Sequence, residues 1–135
     1  MSEENVESFK RTVEAMRRGD LEAALEFADP EIEWYPGLVA TVAGGATVYR
    51  GHDGMRQWQR DSYEVFGEVE FEFSDVRDLG DRLVALGYLR VRGVASGAPA
   101  ESPFCYLIDY REGKAIRGRT YLDRQEALEA AGHEA

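Results

Sequence analysis

Hydrophobic positions along the chain change their period, and the changes mark out its elements. Val6, Phe9, Val13 and Met16 recur at intervals of 3, 4 and 3, which puts them on one face of an α-helix. Ser2 is placed to cap this helix, Glu3 and Glu4 sit where its dipole favours acids, and Gly19 stops it. Asp20 caps a second, shorter helix through Leu21, Ala24, Leu25 and Ala28, closed by Asp29-Pro30. A short strand follows from Glu31 to Tyr35, with Ile32 and Trp34 on one face, and Pro36-Gly37 ends it. Leu38 to Tyr49 are mostly small or β-branched. They read as a long excursion with a short strand near Thr47 to Tyr49, either a lid over a pocket or an idle loop. Asp53 caps a third helix whose stripe is Met55, Trp58, Ser62 and Val65, widened by Phe66 and ended by Gly67.

From Glu68 onward the period is two. Glu68 to Phe73 alternates acids with Val69, Phe71 and Phe73, as a half-buried strand does. Asp78-Leu79-Gly80-Asp81 turns into a strand from Arg82 to Val94, and Ser96-Gly97-Ala98-Pro99 turns again into one from about Glu101 to Arg111. Glu112-Gly113 makes a tight hairpin, and Lys114 to Leu122 returns. Asp123-Arg124-Gln125-Glu126 has capping-box spacing and opens a closing helix with Ala127, Leu128 and Ala131, ended by Gly132. Helices ahead of a long antiparallel meander predict a single α+β domain over residues 1–135, its sheet curled around the helices.

The strand Arg82–Val94 carries Leu83, Ala85, Gly87, Leu89, Val91 and Gly93 on one face and Val84, Leu86, Tyr88, Arg90 and Arg92 on the other. It starts apolar on both faces and becomes polar on one, so it leaves a full core and enters either solvent or a cavity. On the neighbouring strand Phe104, Tyr106, Ile108 and Tyr110 share a face. If these faces are concave, Arg90 and Tyr106 place donors in an apolar cavity beside Trp34 and Trp58, the usual make-up of a small-molecule pocket. If they are convex, the same residues form a wet or dimer-facing surface.

Composition removes several function classes. The formal charge of −10 argues against nucleic acid, because phosphate contacts need clustered Lys and Arg. No apolar run approaches the about 18 residues of a membrane span. The start, Met-Ser-Glu-Glu-Asn, reads against a secretory signal. Cys105 is the only cysteine, cannot form an intrachain disulfide, and fits a cytoplasmic protein; it reads as a small buried hydrophobe. His52 and His133 are the only histidines and lack zinc-site spacing, so no metal is expected. The glycines match neither a phosphate loop nor a dinucleotide fingerprint, and no cofactor is expected.

The order of elements and several local phrases resemble the SnoaL-like branch of the nuclear transport factor two-like superfamily, over nearly the whole chain. The phrases are Tyr49-Arg50-Gly51-His52-Asp53-Gly54-Met55, Ala95-Ser96-Gly97, Glu112-Gly113-Lys114, and Tyr121-Leu122-Asp123-Arg124 leading into Ala127-Leu128. The resemblance implies a cone: a strongly bent, mainly antiparallel sheet around helices, a pocket at its open end, and often a homodimer across the sheet's outer face. This fold hosts isomerases, cyclases, hydrolases, dehydratases and plain binding modules. Epoxide hydrolases of the limonene type carry an Arg–x–Asp pair where this chain reads Tyr88-Leu89-Arg90, and an acid where Thr120 precedes Tyr121. Their Tyr–x–Asn pair falls near Trp34-Tyr35-Pro36, so the groups that hold and activate water are missing. Ketosteroid isomerases keep a tyrosine in the first helix, where Phe9, Val13 and Met16 carry no hydroxyl.

The resulting expectation is a pocket for a small, mainly apolar molecule with an oxygen acceptor. Tyr88, Arg90 and Tyr106 are its polar contacts, and Trp34, Trp58 and Thr120 are further ligand-binding positions. One reading is an enzyme moving a proton on a carbonyl or polyketide-like compound, with Asp109 as base and Arg90 stabilising the developing oxyanion. The other is a non-catalytic, dimeric binding or interaction module. Asp109 has the opposite parity to Tyr106 and reaches the pocket only through a bulge or if the faces are reversed.

Overall fold

A computed structural model describes residues 2–36, 48–67, 69–92 and 99–121, together with 125 and 129. In chain order the elements are α1 (Ser2–Arg17), α2 (Leu21–Ala24) with a 3-10 turn (Leu25–Phe27), β1 (Ala28–Tyr35), β2 (Tyr49–Arg50), α3 (Gly51–Phe66), β3 (Val69–Asp78), β4 (Arg82–Arg92), β5 (Pro99–Arg111) and β6 (Lys114–Tyr121). The expected closing helix and most of the 38–49 excursion lie outside the described residues. The strands form one sheet in the order β2-β1-β6-β5-β4-β3. Neighbours are antiparallel except β1 and β6, which run parallel. The architecture is the expected α+β cone.

Several boundaries differ from the pattern; the largest shift is in β3, expected over Glu68 to Phe73 and observed over Val69–Asp78. Asp20 does cap α2, accepting from the Ala23 amide at 3.1 Å, but the helix tightens to 3-10 after one turn, and β1 begins at Ala28 rather than Glu31. The third helix starts at Gly51, with Arg50 extended at its N-cap. Asp53 therefore lies inside the first turn and accepts from Arg56 Nη1 at 2.7 Å instead of capping. At the β5–β6 hairpin Glu112 and Gly113 both take the left-handed region, at φ 53° and 76°, as a two-residue turn between twisted strands requires.

The ladder between β4 and β5 fixes which face is which. Ala85 stands opposite Tyr106 and Gly87 opposite Phe104, whereas Tyr88 stands opposite Pro103 and Arg90 opposite Glu101. The inner face of β4 is thus Leu83, Ala85, Gly87 and Leu89. Phe9 from α1 packs there with Leu83, Ala85 and Ile108. Under α2 and α3, a second inner cluster joins Leu21, Leu25, Ile32, Trp34, Tyr49 and Met55. Tyr106 touches both clusters. A third cluster, Val84, Leu86, Cys105 and Leu107, is buried on the opposite face, with Cys105 at 2 % exposure behaving as the hydrophobe expected of it.

Two hydrogen bonds fasten α1 to the sheet. Asn5, buried near the start of the helix, donates to the Gly80 carbonyl at 3.0 Å. Arg17, at its end, donates to the Phe71 carbonyl at 3.2 Å. Strand β3 forms one edge of the sheet and carries a register shift between Phe73 and Asp75. Among the described residues no helix is long and apolar enough to cross a membrane.

Candidate functional site

Between α1, α3 and the inner face of the sheet lies a cavity of about 600 Å³. Its wall follows from the two helical stripes and the inner strand parity: Phe9, Val13 and Met16 from α1, Met55, Trp58 and Ser62 from α3, and Trp34, Phe73, Phe104 and Tyr106 from the sheet. The rings meet edge to face. Trp34 lies 5.5 Å from Trp58 and 5.0 Å from Tyr106, and Phe104 lies 5.0 Å from Tyr106, measured between centroids. This geometry opposes ring edges to ring faces and fixes the wall.

Few polar groups reach the interior. Burial pushes the Tyr106 phenol well above its ordinary range, with no hydrogen bond contributing, so the hydroxyl stays protonated and can donate. Thr120 stands directly opposite Tyr106 in the β5–β6 ladder and lines the same cavity. The Trp34 indole is 6 % exposed and its Nε1 is buried without a hydrogen-bond partner. At the rim the exposed Arg17 sits 5.5 Å from the Phe71 ring centroid. Glu70 also reaches the rim, but its ladder partner is Arg90, which gives it outer-face parity.

Four of the expected ligand positions therefore come together: Trp34, Trp58, Tyr106 and Thr120 all line the cavity. Tyr88 and Arg90 do not. Tyr88 is 44 % exposed on the outer face, and Arg90 pairs there with Glu101, Nε to Oε1, at 2.9 Å. Asp109 is outside as well. It stands opposite Arg82 in the β4–β5 ladder and accepts from Arg82 Nε at 2.8 Å. That pair belongs to a separate charged groove, shared with Asp29, Glu31, Glu33 and Arg117. The assignment of Asp109 as base and Arg90 as oxyanion donor within the pocket is corrected on this ground: β4 presents its odd-numbered residues inward, and β5 its even-numbered ones. A register shift does occur at Asp109/Tyr110 against β6, yet it leaves Asp109 outside.

His52 serves the frame, with Nε2 2.9 Å from the Ala28 carbonyl at the start of β1. Among the described residues no three His, Cys, Asp or Glu side chains converge in a metal-binding group. The cavity residues that the sequence did not assign to the site include Thr12, Gln59, Phe73 and Leu89. Their signal was the inner parity of the strands and the polar shoulders of the α1 and α3 stripes.

Residues 9–118 match the family model of the SnoaL-like domain, and the chain belongs to that family. Among solved structures it is similar to a nuclear transport factor two-like protein of unknown function from Burkholderia pseudomallei. Identity is 24%, covering 93% of this chain and 95% of that one, with a TM-score of 0.82. It is also similar to TerC, co-crystallised with polyporic acid, at 25% identity over 97% of this chain and 96% of the other, TM-score 0.79. A putative SnoaL-like polyketide cyclase from Jannaschia sp. CCS1 shares the fold at 18% identity, covering 96% and 92%, TM-score 0.75. No curated protein sequence matches the chain significantly.

Proposed function

We propose that this protein binds a small, mainly apolar organic molecule inside the cone. The observation that carries the reading is the aromatic wall of the 600 Å³ cavity, in which Trp34, Trp58, Phe73, Phe104 and Tyr106 surround a mainly apolar space. An apolar space of that size with a few donors suits a ligand of two to four fused or linked rings. The co-crystallisation of TerC with polyporic acid supports a small organic molecule as the occupant. Binding is preferred to proton transfer because Asp109, the base that reaction was assigned, is held by Arg82 on the outer face.

Titration with 9-fluorenone, followed by tryptophan fluorescence, tests the reading. Saturable quenching is expected, because both tryptophans line the cavity. A linear, non-saturating response would refute it.

The homodimer is proposed on a separate observation. Tyr88 keeps 44 % of its surface exposed beside the Arg90–Glu101 pair on the outer face of the sheet, and exposed tyrosine and arginine are common anchors of interfaces. Light scattering on the purified chain is expected to give twice the monomer mass, and a Tyr88→Asp variant the monomer mass.

A further inference from the structure

The outer face of the sheet is buried at its centre, where none of α1, α2 and α3 covers it. On β4 and β5, Val84 is fully buried, and Leu86, Cys105 and Leu107 keep at most 4 % of their surface exposed. They form two ladder rows, Val84 opposite Leu107 and Leu86 opposite Cys105. The three helices all pack on the other side, against the inner clusters. Among the described residues Tyr121, at the end of β6 and opposite Cys105, is the partly buried hydrophobic residue packed against the rows. Ladder neighbours enclose a side chain from the sides, about 4.8 Å away. Burying its tip takes an element laid over the face.

The chain after Tyr121 has what such an element needs. Gln125 and Glu129 are helical and exposed, and Gln125 Nε2 donates to Glu129 Oε1 at 3.0 Å, so one side of this helix faces solvent. The apolar stripe Ala127, Leu128 and Ala131 is centred about 130° away round the helix. As a helix, residues 123–131 span about 13 Å, and the distance from β6 over β5 to β4 is about 10 Å. That length suits a helix that leaves the end of β6 and crosses both buried rows.

We propose that the helix opened by Asp123 lays Ala127, Leu128 and Ala131 on Val84, Leu86, Cys105 and Leu107, and so closes the centre of the outer face within one chain. Contact between copies is then confined to the far end of that face, where Tyr88 and the Arg90–Glu101 pair stay exposed. Cys105 is the chain's only cysteine, and its alkylation by N-ethylmaleimide, followed by mass spectrometry, reports whether the face is open. The unmodified protein is expected to react slowly. Leu128→Asp is expected to raise the rate at least about tenfold, and Glu129→Lys, on the solvent side, to leave it within about twofold of the parent. Far-ultraviolet circular dichroism checks that both variants are folded. In the unmodified protein with labelled methyl groups, nuclear Overhauser contacts are expected from Leu128 to Val84, Leu86 or Leu107; this measurement needs no variant. An unmodified protein that reacts as fast as its urea-unfolded form would overturn the proposal by showing the face open. A folded Leu128→Asp with the parent's rate, equal rates in the two variants, or the absence of those methyl contacts would overturn it by assigning the cover to another segment or a second copy.

Discussion

Gly118 faces Trp34 across the parallel β1–β6 ladder, and a methyl group in place of its hydrogen would overlap the indole ring. The glycine is therefore a packing device that lets the largest side chain of the wall lie flat on the sheet. Gly118→Ala is expected to lower stability by about 1–3 kcal/mol, the range for overpacking a closed core. It should also weaken ligand binding, because the indole must shift. Urea denaturation and the fluorenone titration measure the two effects.

Asp109→Asn separates the sequence reading from the structural one. An internal base would take the ligand's affinity or chemistry with it. On the outer face, paired with Arg82 and about a fifth exposed, the change is expected to cost at most about 1 kcal/mol of stability. Affinity for fluorenone should stay within about twofold, since no binding energy is lost at the site.

Tyr49 and Asp61 give the fold a pH signature. The Tyr49 hydroxyl donates to Asp61 Oδ2 at 2.6 Å, and Gln57 Nε2 donates to Oδ1 at 2.7 Å, tying β2 to α3. Burial, and then the bond to Asp61, pushes Tyr49 from 10.0 up to about 12. The same bond, and then Gln57, holds Asp61 below its ordinary value. The Tyr49 contribution is complete below pH 10 and is lost as pH rises towards 12. The Asp61 contribution is present above its unfolded pKa and is lost as pH falls through the lower folded value. The melting-temperature gap between the unmodified protein and Tyr49→Phe is therefore expected to be widest near neutrality and to close at both extremes. Tyr106 and Tyr110, also raised by burial, make both proteins lose stability in alkali.

Ser62→Trp fills the cavity from α3, where Ser62 is half-buried on the inner stripe. It is expected to reduce affinity for fluorenone by at least about tenfold, equivalent to about 1.4 kcal/mol. The far-ultraviolet circular dichroism should remain that of the parent, and isothermal titration calorimetry reads the affinity.

Most of the frame was legible because its signals are local. The α1 stripe, the stop at Gly19, the Glu112-Gly113 turn and the alternation after Glu68 each depend on neighbours a few residues away. What was not legible was the facing of β4. Leu83, Val84, Ala85 and Leu86 are apolar on both parities and all are buried, so periodicity alone could not say which side was inner. Gly87 held the clue: a Cβ there would crowd the Phe104 ring at 3.0 Å, which marks the odd residues as those beneath the aromatic wall. The Trp34 nitrogen was beyond the sequence altogether, because a missing partner is a property of packing.

The register shift in β3 bears on how the protein behaves in concentrated solution. As an edge strand of 10 residues among the described residues, β3 presents a backbone edge to which another extended chain could add. The shift between Phe73 and Asp75 breaks its straight line of donors and acceptors, and Glu70, Glu72 and Asp78 set charge along it. A second molecule adding edge to edge would meet a kinked, acidic border that matches its own charge. Strand-by-strand growth into fibres is thereby disfavoured at the place where the open sheet would otherwise invite it.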